Sequence, residues 1–167
     1  MMFPLSRLKR LARELLHAKS TVERIEESLG KVRSELDKGL ILNARALMAN
    51  WDPNGPLQPF SDYEFQVFSQ FGDDGIIQRL IRGLKITEES FIEFGVQDYS
   101  ESNTRFLLLN NNWRGLILDC SEEAMAGVRR SPLHWRHDLT VASAFIDRDN
   151  INSLLEQNGF QGELGLL

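Results

Sequence analysis

The chain has 167 residues, enough for one globular domain plus an appendage. Hydrophobic residues make up 42% and charged residues 26%, with ten Phe and three Trp to build a core. A formal charge of −5 gives no overall reason to expect a nucleic-acid partner, and the single cysteine, Cys120, excludes an intrachain disulfide and a cysteine-rich zinc site.

No apolar run approaches the ~18 residues that a membrane-crossing helix needs. The basic start, Met1 to Arg10, lacks the apolar stretch and small-residue cleavage site of a signal peptide, so a cytoplasmic location is expected. Residues 1–50 are predicted to be an amphipathic helix, since no proline occurs from Leu5 to Met48 and apolar residues recur at three- and four-residue steps. Leu8, Leu11, Leu15, Ala18, Val22, Ile25, Leu29, Val32 and Leu36 keep one heptad register, which weakens at Gly39 and Asn43. Two readings stand: a coiled coil joining copies through residues 5–48, or a helix packed on its own domain. The basic cluster Arg7, Lys9, Arg10 and Arg13 reads as a solvated helix end, with an anionic membrane surface as the weaker alternative.

Residues 51–60 carry Pro53, Pro56 and Pro59 and read as a linker. From residue 61 to 167 helices and strands alternate. Phe60, Tyr63, Phe65, Phe68 and Phe71 are expected to pack in the core. Asp73 or Asp74 can cap a helix to about Leu84, and Phe91 to Val96 reads as a buried strand. Ser102 or Asn103 should start a helix carrying Phe106 to Leu109, and Gly115 to Asp119 reads as a second strand. Ser121 is an N-cap with acids behind it, where the helix dipole favours them. His134 to Asp138 reads as a third strand, Ile151 to Asn158 as a helix closed by Gly159, and Glu163 to Leu167 as the start of a fourth strand. This order implies an α/β fold with a parallel sheet and right-handed crossovers. The chain ends inside that fourth strand, which reads as a fragment lacking later strands; a short protein with a minimal sheet is the alternative.

Ligands of such sheets bind beyond the carboxyl ends of the strands. Three features are expected to meet there: the turn at Gly95, the carboxylate of Asp119 placed to accept two ribose hydroxyls, and Asp138 at the end of the third strand beside an adenine. Residue 97 is Gln where a dinucleotide pyrophosphate needs a second glycine, which favours S-adenosylmethionine over NAD. His134 and His137 would face opposite sides of a strand, so no metal site is expected, and Cys120 reads as a small buried thiol.

Ser69-Gln-Phe-Gly-Asp-Asp-Gly-Ile-Ile, Phe91-Ile-Glu-Phe-Gly-Val, Ser102-Asn-Thr and Asn112-Trp-Arg-Gly-Leu-Ile-Leu-Asp together resemble the FkbM-type methyltransferases. The resemblance covers residues 61 to 167. It implies a Rossmann-like sheet of the class I methyltransferase type and methyl transfer from S-adenosylmethionine, often to an oxygen of a sugar, a glycan or another small acceptor. Carried over by position, it places Glu93 and Gly95 at the methionine end of the cofactor, with Gln97 and Asp98 in the same loop. Asp119 falls on the ribose, Asp138 beside the adenine, and Ser69, Gln70 and the Gly72–Gly75 turn over the amino acid portion. A helix cap explains that last turn equally well. The catalytic base remains unassigned and is expected in the missing half. Two alternatives stay open: a binding or oligomerisation module whose loop no longer holds cofactor, and an NAD-dependent enzyme.

Overall fold

The computed structural model describes residues 5–52, 55–56, 58–84 and 86–167. The side chains of Arg7, Leu8, Lys9, Arg10 and Leu11, and the linker residues Pro53, Asn54 and Leu57, lie outside that description. The chain forms two compact units, Met1–Leu42 and Asn43–Leu167.

A single helix, α1 (Leu5–Ala49), makes up nearly all of the first unit and its last turns belong to the second. Its exposed surface carries ion pairs one turn apart, Lys31 with Glu27 at 2.7 Å and Lys38 with Glu35 at 2.6 Å, of the kind that support a solvated helix. The expected boundary at residue 50 moves back to Asn43. The reason is packing: Ala44 and Met48 are buried, Arg45 Nε donates to Asn110 Oδ1, and Arg82 donates to the Met48 carbonyl. The described part of the linker is packed too, since the Trp51 ring meets Tyr63 edge-on at 5.3 Å and stacks on Phe65 at 6.1 Å.

The second unit is α/β. After a 3-10 turn at Phe60–Asp62 come α2 (Asp73–Leu84), β1 (Ser90–Phe94) and a π-helix at Leu107–Asn111. They are followed by β2 (Arg114–Asp119), α3 (Glu122–Arg130), α4 (Pro132–Arg136), β3 (Leu139–Ser143) and α5 (Ile151–Gln157). The three strands form one parallel sheet in the order β1-β2-β3, with Phe94 opposite Leu118 and Asp119 opposite Ser143. On the free side of β1, Leu166 makes a parallel bridge to Phe91, and Ile92 N–H donates to the Leu166 carbonyl. The predicted fourth strand is thus a single bridge here.

Strand alternation sends Phe91, Ile117 and Val141 into one apolar layer with Leu107, Leu108, Trp113, Met125 and Val128. Ile92, Leu116 and Leu118 enter another layer with Phe160, Leu154 and Leu155. Both faces of the sheet are covered, which is why its strands read as continuous apolar runs. Gly115 is required by its register partner, because a Cβ there would stand 2.2 Å from Phe91 Cζ.

The third strand corrects the expectation. His134 belongs to α4, which begins at Pro132 behind Ser131, and the strand is Leu139–Ser143. A proline at the first helical position, preceded by serine, is a helix start that outweighs the aromatic look of His-Trp-Arg-His. The helix after β1 also begins later than expected and widens to π geometry, closing on Asn112 in the left-handed conformation. Of the aromatic cluster, Tyr63 and Phe68 are buried and Phe65 is half-buried, whereas Phe60 and Phe71 are exposed.

Candidate functional site

The carboxyl edge of the sheet is built by backbone turns held on carboxylates. β1 ends at Phe94, and Gly95 turns the chain at φ +70°, with its N–H donating to the Leu118 carbonyl of β2. A Cβ on Gly95 would meet nothing within 4 Å, so its need for glycine is conformational and the space above it is open. Gln97 (φ +49°) and Tyr99 (φ +59°) continue the turn in the left-handed region that favours glycine. The position that lacks a second glycine therefore adopts a glycine-like backbone all the same, with the Gln97 side chain exposed.

Asp119 closes β2 beneath this turn. Its Oδ2 accepts Gln97 N–H at 2.8 Å and its Oδ1 accepts Ser121 N–H at 2.8 Å. The Ser121 bond, then the Gln97 bond, holds the carboxyl below the usual aspartate range, so it is an anion. Ser121 in turn caps α3 by accepting Ala124 N–H, as its sequence predicts. Cys120, expected to be buried, is exposed beside Asp119.

Glu93, one residue before the end of β1, is committed to the loop that follows. Ser102 Oγ (2.5 Å), Thr104 Oγ1 (2.6 Å) and Thr104 N–H (3.1 Å) donate to its Oε2, and Asn103 N–H donates to Oε1 at 3.0 Å. Tyr99 is fully buried and its hydroxyl pairs with Thr104, while Arg105 donates to the Tyr99 carbonyl. Burial pushes the Tyr99 phenol up, so it stays protonated. Ser102 and Thr104 are the contributors that sequence reasoning missed as partners of Glu93. The signal lay in three consecutive polar residues, each able to bond an acid from side chain or backbone.

The Ser69–Gly75 turn joins the same edge. Asp74 Oδ2 accepts the N–H groups of Val67, Phe68 and Ser69 at 2.7, 2.7 and 2.9 Å, and Ser69 Oγ accepts Asp74 N–H. Burial raises the Asp74 carboxyl against those bonds. The Phe68 carbonyl accepts Ser102 N–H, and the Arg105 guanidinium lies 4.7 Å over the Phe68 ring. One chain of bonds therefore runs from Asp74 through Phe68 and Ser102 to Glu93. Gly75 is sterically required, since a Cβ would stand 1.8 Å from the Tyr63 carbonyl oxygen. Gln70 is exposed on this turn and its carbonyl accepts Gln66 Nε2.

Glu93, Gly95, Gln97, Asp98 and Asp119 thus gather at one edge, with Asp98 accepting Ser100 N–H inside the loop. Asp138 does not join them. It precedes β3, its carbonyl accepts Gly115 N–H at the start of β2, and its carboxylate lies 3.9 Å from Arg114 Nε. It belongs to the amino edge, opposite Asp119, and its expected place beside the adenine is withdrawn. The end of β3 presents Ser143, Ala144 and exposed Phe145 instead, with Ala144 N–H donating to the Asp119 carbonyl. A cavity of about 150 Å³ also lies at the amino end, lined by Ser90, Ile92, Arg114, Leu155 and Phe160.

No family model, curated protein or solved structure matches the chain. Among the described residues, no group of three or more His, Cys, Asp and Glu could hold a metal ion. No described helix is long and apolar enough to cross a membrane.

Proposed function

We propose that the carboxyl edge of this sheet binds S-adenosylmethionine and that the protein transfers its methyl group to an oxygen of a small acceptor, such as a sugar or glycan. One observation carries the reading: the glycine-like turn Gly95–Gln97 closes onto the carboxylate of Asp119. It does so beside β1, where the order β3-β2-β1 gives way to the Leu166 bridge. A crevice outside the carboxyl ends at such a reversal is where open α/β sheets hold ligands. The oxygen acceptor and the Rossmann-like methyltransferase fold rest on the motif resemblance.

The residues present fit the cofactor. A carboxylate offers about four acceptor positions. Gln97, Ser121 and the neighbouring Cys120 all bond the buried Asp119, so a ribose hydroxyl would take the acceptor position that remains. Open space over Gly95 suits close approach of the methionine end. The cofactor supplies an electrophilic methyl on a sulfonium when bound. Glu93 acts as the builder of the loop, because its oxygens already serve Ser102, Asn103 and Thr104. Asp119, held as an anion by two N–H groups, is a poor proton acceptor and serves as a positioning group. NAD fits less well, since a Cβ at residue 97 opposes the close backbone approach that a pyrophosphate requires.

Thermal unfolding with S-adenosylhomocysteine and with NAD tests the assignment. The expected result is a rise in midpoint with S-adenosylhomocysteine that grows with its concentration, and none with NAD. A protein indifferent to S-adenosylhomocysteine at millimolar concentration would refute the cofactor.

A further inference from the structure

The first unit carries a feature that the cofactor site leaves unused. Leu15, Val22, Ile25, Leu29, Val32 and Leu36 of α1 are each between 52% and 69% exposed. Leu15, Val22, Leu29 and Leu36 fall on the a positions of the heptad, and Ala18, Ile25 and Val32 on the d positions. They make one straight seam about 32 Å long, from the 1.5 Å rise per residue. A helix in water draws most of its stability from packing such a face, so an apolar seam of this length requires an occupant.

We infer that the seam is occupied by the same seam of further copies of this chain, parallel and in register, as a coiled coil of more than two strands. Two observations select that occupant and arrangement, independently of the proposed function. In a parallel, in-register assembly Glu14 at g meets Lys19 at e of the neighbouring copy. The next pairs are Thr21 with Glu26 and Ser28 with Arg33, so no like charges oppose each other from Glu14 to Arg33. Antiparallel packing of the same seam sets Glu14 against Glu35 and Lys19 against Glu26, so its attractive pair is offset by a repulsive one. The parallel arrangement keeps Glu14 with Lys19 and opposes no like charges. Three of the four a residues are leucine and two of the three d residues, Ile25 and Val32, are β-branched, the pattern that favours three or four strands over two. Val22 at a and Ala18 at d depart from it. Leu16, equally exposed at 68% but on a b position, lies off the seam and serves as a control.

Sedimentation equilibrium of the full chain tests this. The expected result is a concentration-dependent assembly of three or four copies; a monomer at 100 µM would overturn the inference, and a dimer would overturn the strand number. Ile25→Asp and Leu29→Asp should each return a monomer, with the unfolding midpoint of the Asn43–Leu167 unit unchanged. Leu16→Ser should stay assembled, and its dissociation would count against the seam. Orientation is read from Leu15→Cys and Leu36→Cys, made separately in a Cys120→Ser background. Parallel strands in register join both variants to a second copy under mild oxidation, whereas no antiparallel register joins both, so cross-linking at one site alone would overturn the arrangement.

Discussion

Asp119 accepts the backbone N–H of Gln97 at 2.8 Å across 22 residues of chain. The residue proposed to meet the ribose is thus also the support of the turn that would approach the ligand. A ligand-binding defect at Asp119 must therefore be separated from a folding defect. The contrast with Asp138 separates them.

Asp119→Ala should lose the stabilisation by S-adenosylhomocysteine and also unfold earlier without ligand, since two backbone N–H groups lose their acceptor. Asp138→Ala should keep the full ligand shift, because Asp138 lies at the amino edge against Arg114 with its carboxylate exposed. Calorimetric titration of both variants checks this. An Asp138 variant that loses binding would restore the reading that the strand position overturned.

Gly95 and Gln97 should respond oppositely to substitution. Gly95→Ala forces an L-residue to φ +70° in open space and should cost about 1–2 kcal/mol through conformation alone. Gln97→Gly relieves a left-handed side-chain residue but adds entropy to the unfolded chain, for a net effect between about zero and 1 kcal/mol of stabilisation. Urea denaturation of the two variants provides the comparison. Destabilisation by Gln97→Gly beyond 1 kcal/mol would show that its side chain is needed.

Glu93→Gln replaces an anion that accepts four hydrogen bonds with an amide that keeps one acceptor oxygen. The expected loss is about 2–3 kcal/mol, the worth of hydrogen bonds to a charged group. Cleavage within residues 95–104 should become the earliest event in limited proteolysis. A variant as resistant as the wild type would show that the loop holds itself.

The two buried-edge aspartates should shift stability with pH in opposite directions. An unfolded aspartate titrates near pH ~3.9. Asp119 is held below that value, so its contribution is complete above about pH 4 and is lost as pH falls through its folded pKa. Asp74 is raised by burial, so the wild type loses stability relative to Asp74→Asn as pH climbs from about 4 through that raised value. Guanidinium denaturation from pH 2.5 to 7 should show the wild-type advantage over Asp119→Asn growing with pH and that over Asp74→Asn shrinking. Parallel curves would contradict both assignments.

Much of the fold is legible in local pattern. The apolar runs at Phe91 and Gly115, the Ser121 cap and the proline-free heptads of α1 each state their element within a dozen residues. Asp138 was misplaced because His134 to His137 looks like a strand, while the helix start at Ser131-Pro132 is a signal of two residues. The partners of Glu93 and Asp74 are harder to foresee, since a carboxylate's bonds depend on which loops pass within 3 Å of it.

The sequence by itself determined which segments bury their side chains and which positions need glycine or a cap, because those demands act between near neighbours. It placed Gly95 after a strand and Asp119 at the end of another. Only the tertiary structure decided that the Gln97 backbone rests on Asp119, that Glu93 holds a loop, and that Asp138 lies at the opposite edge. Those outcomes follow from strand register in a parallel sheet, where a shift of a few residues carries a side chain from one end of the sheet to the other.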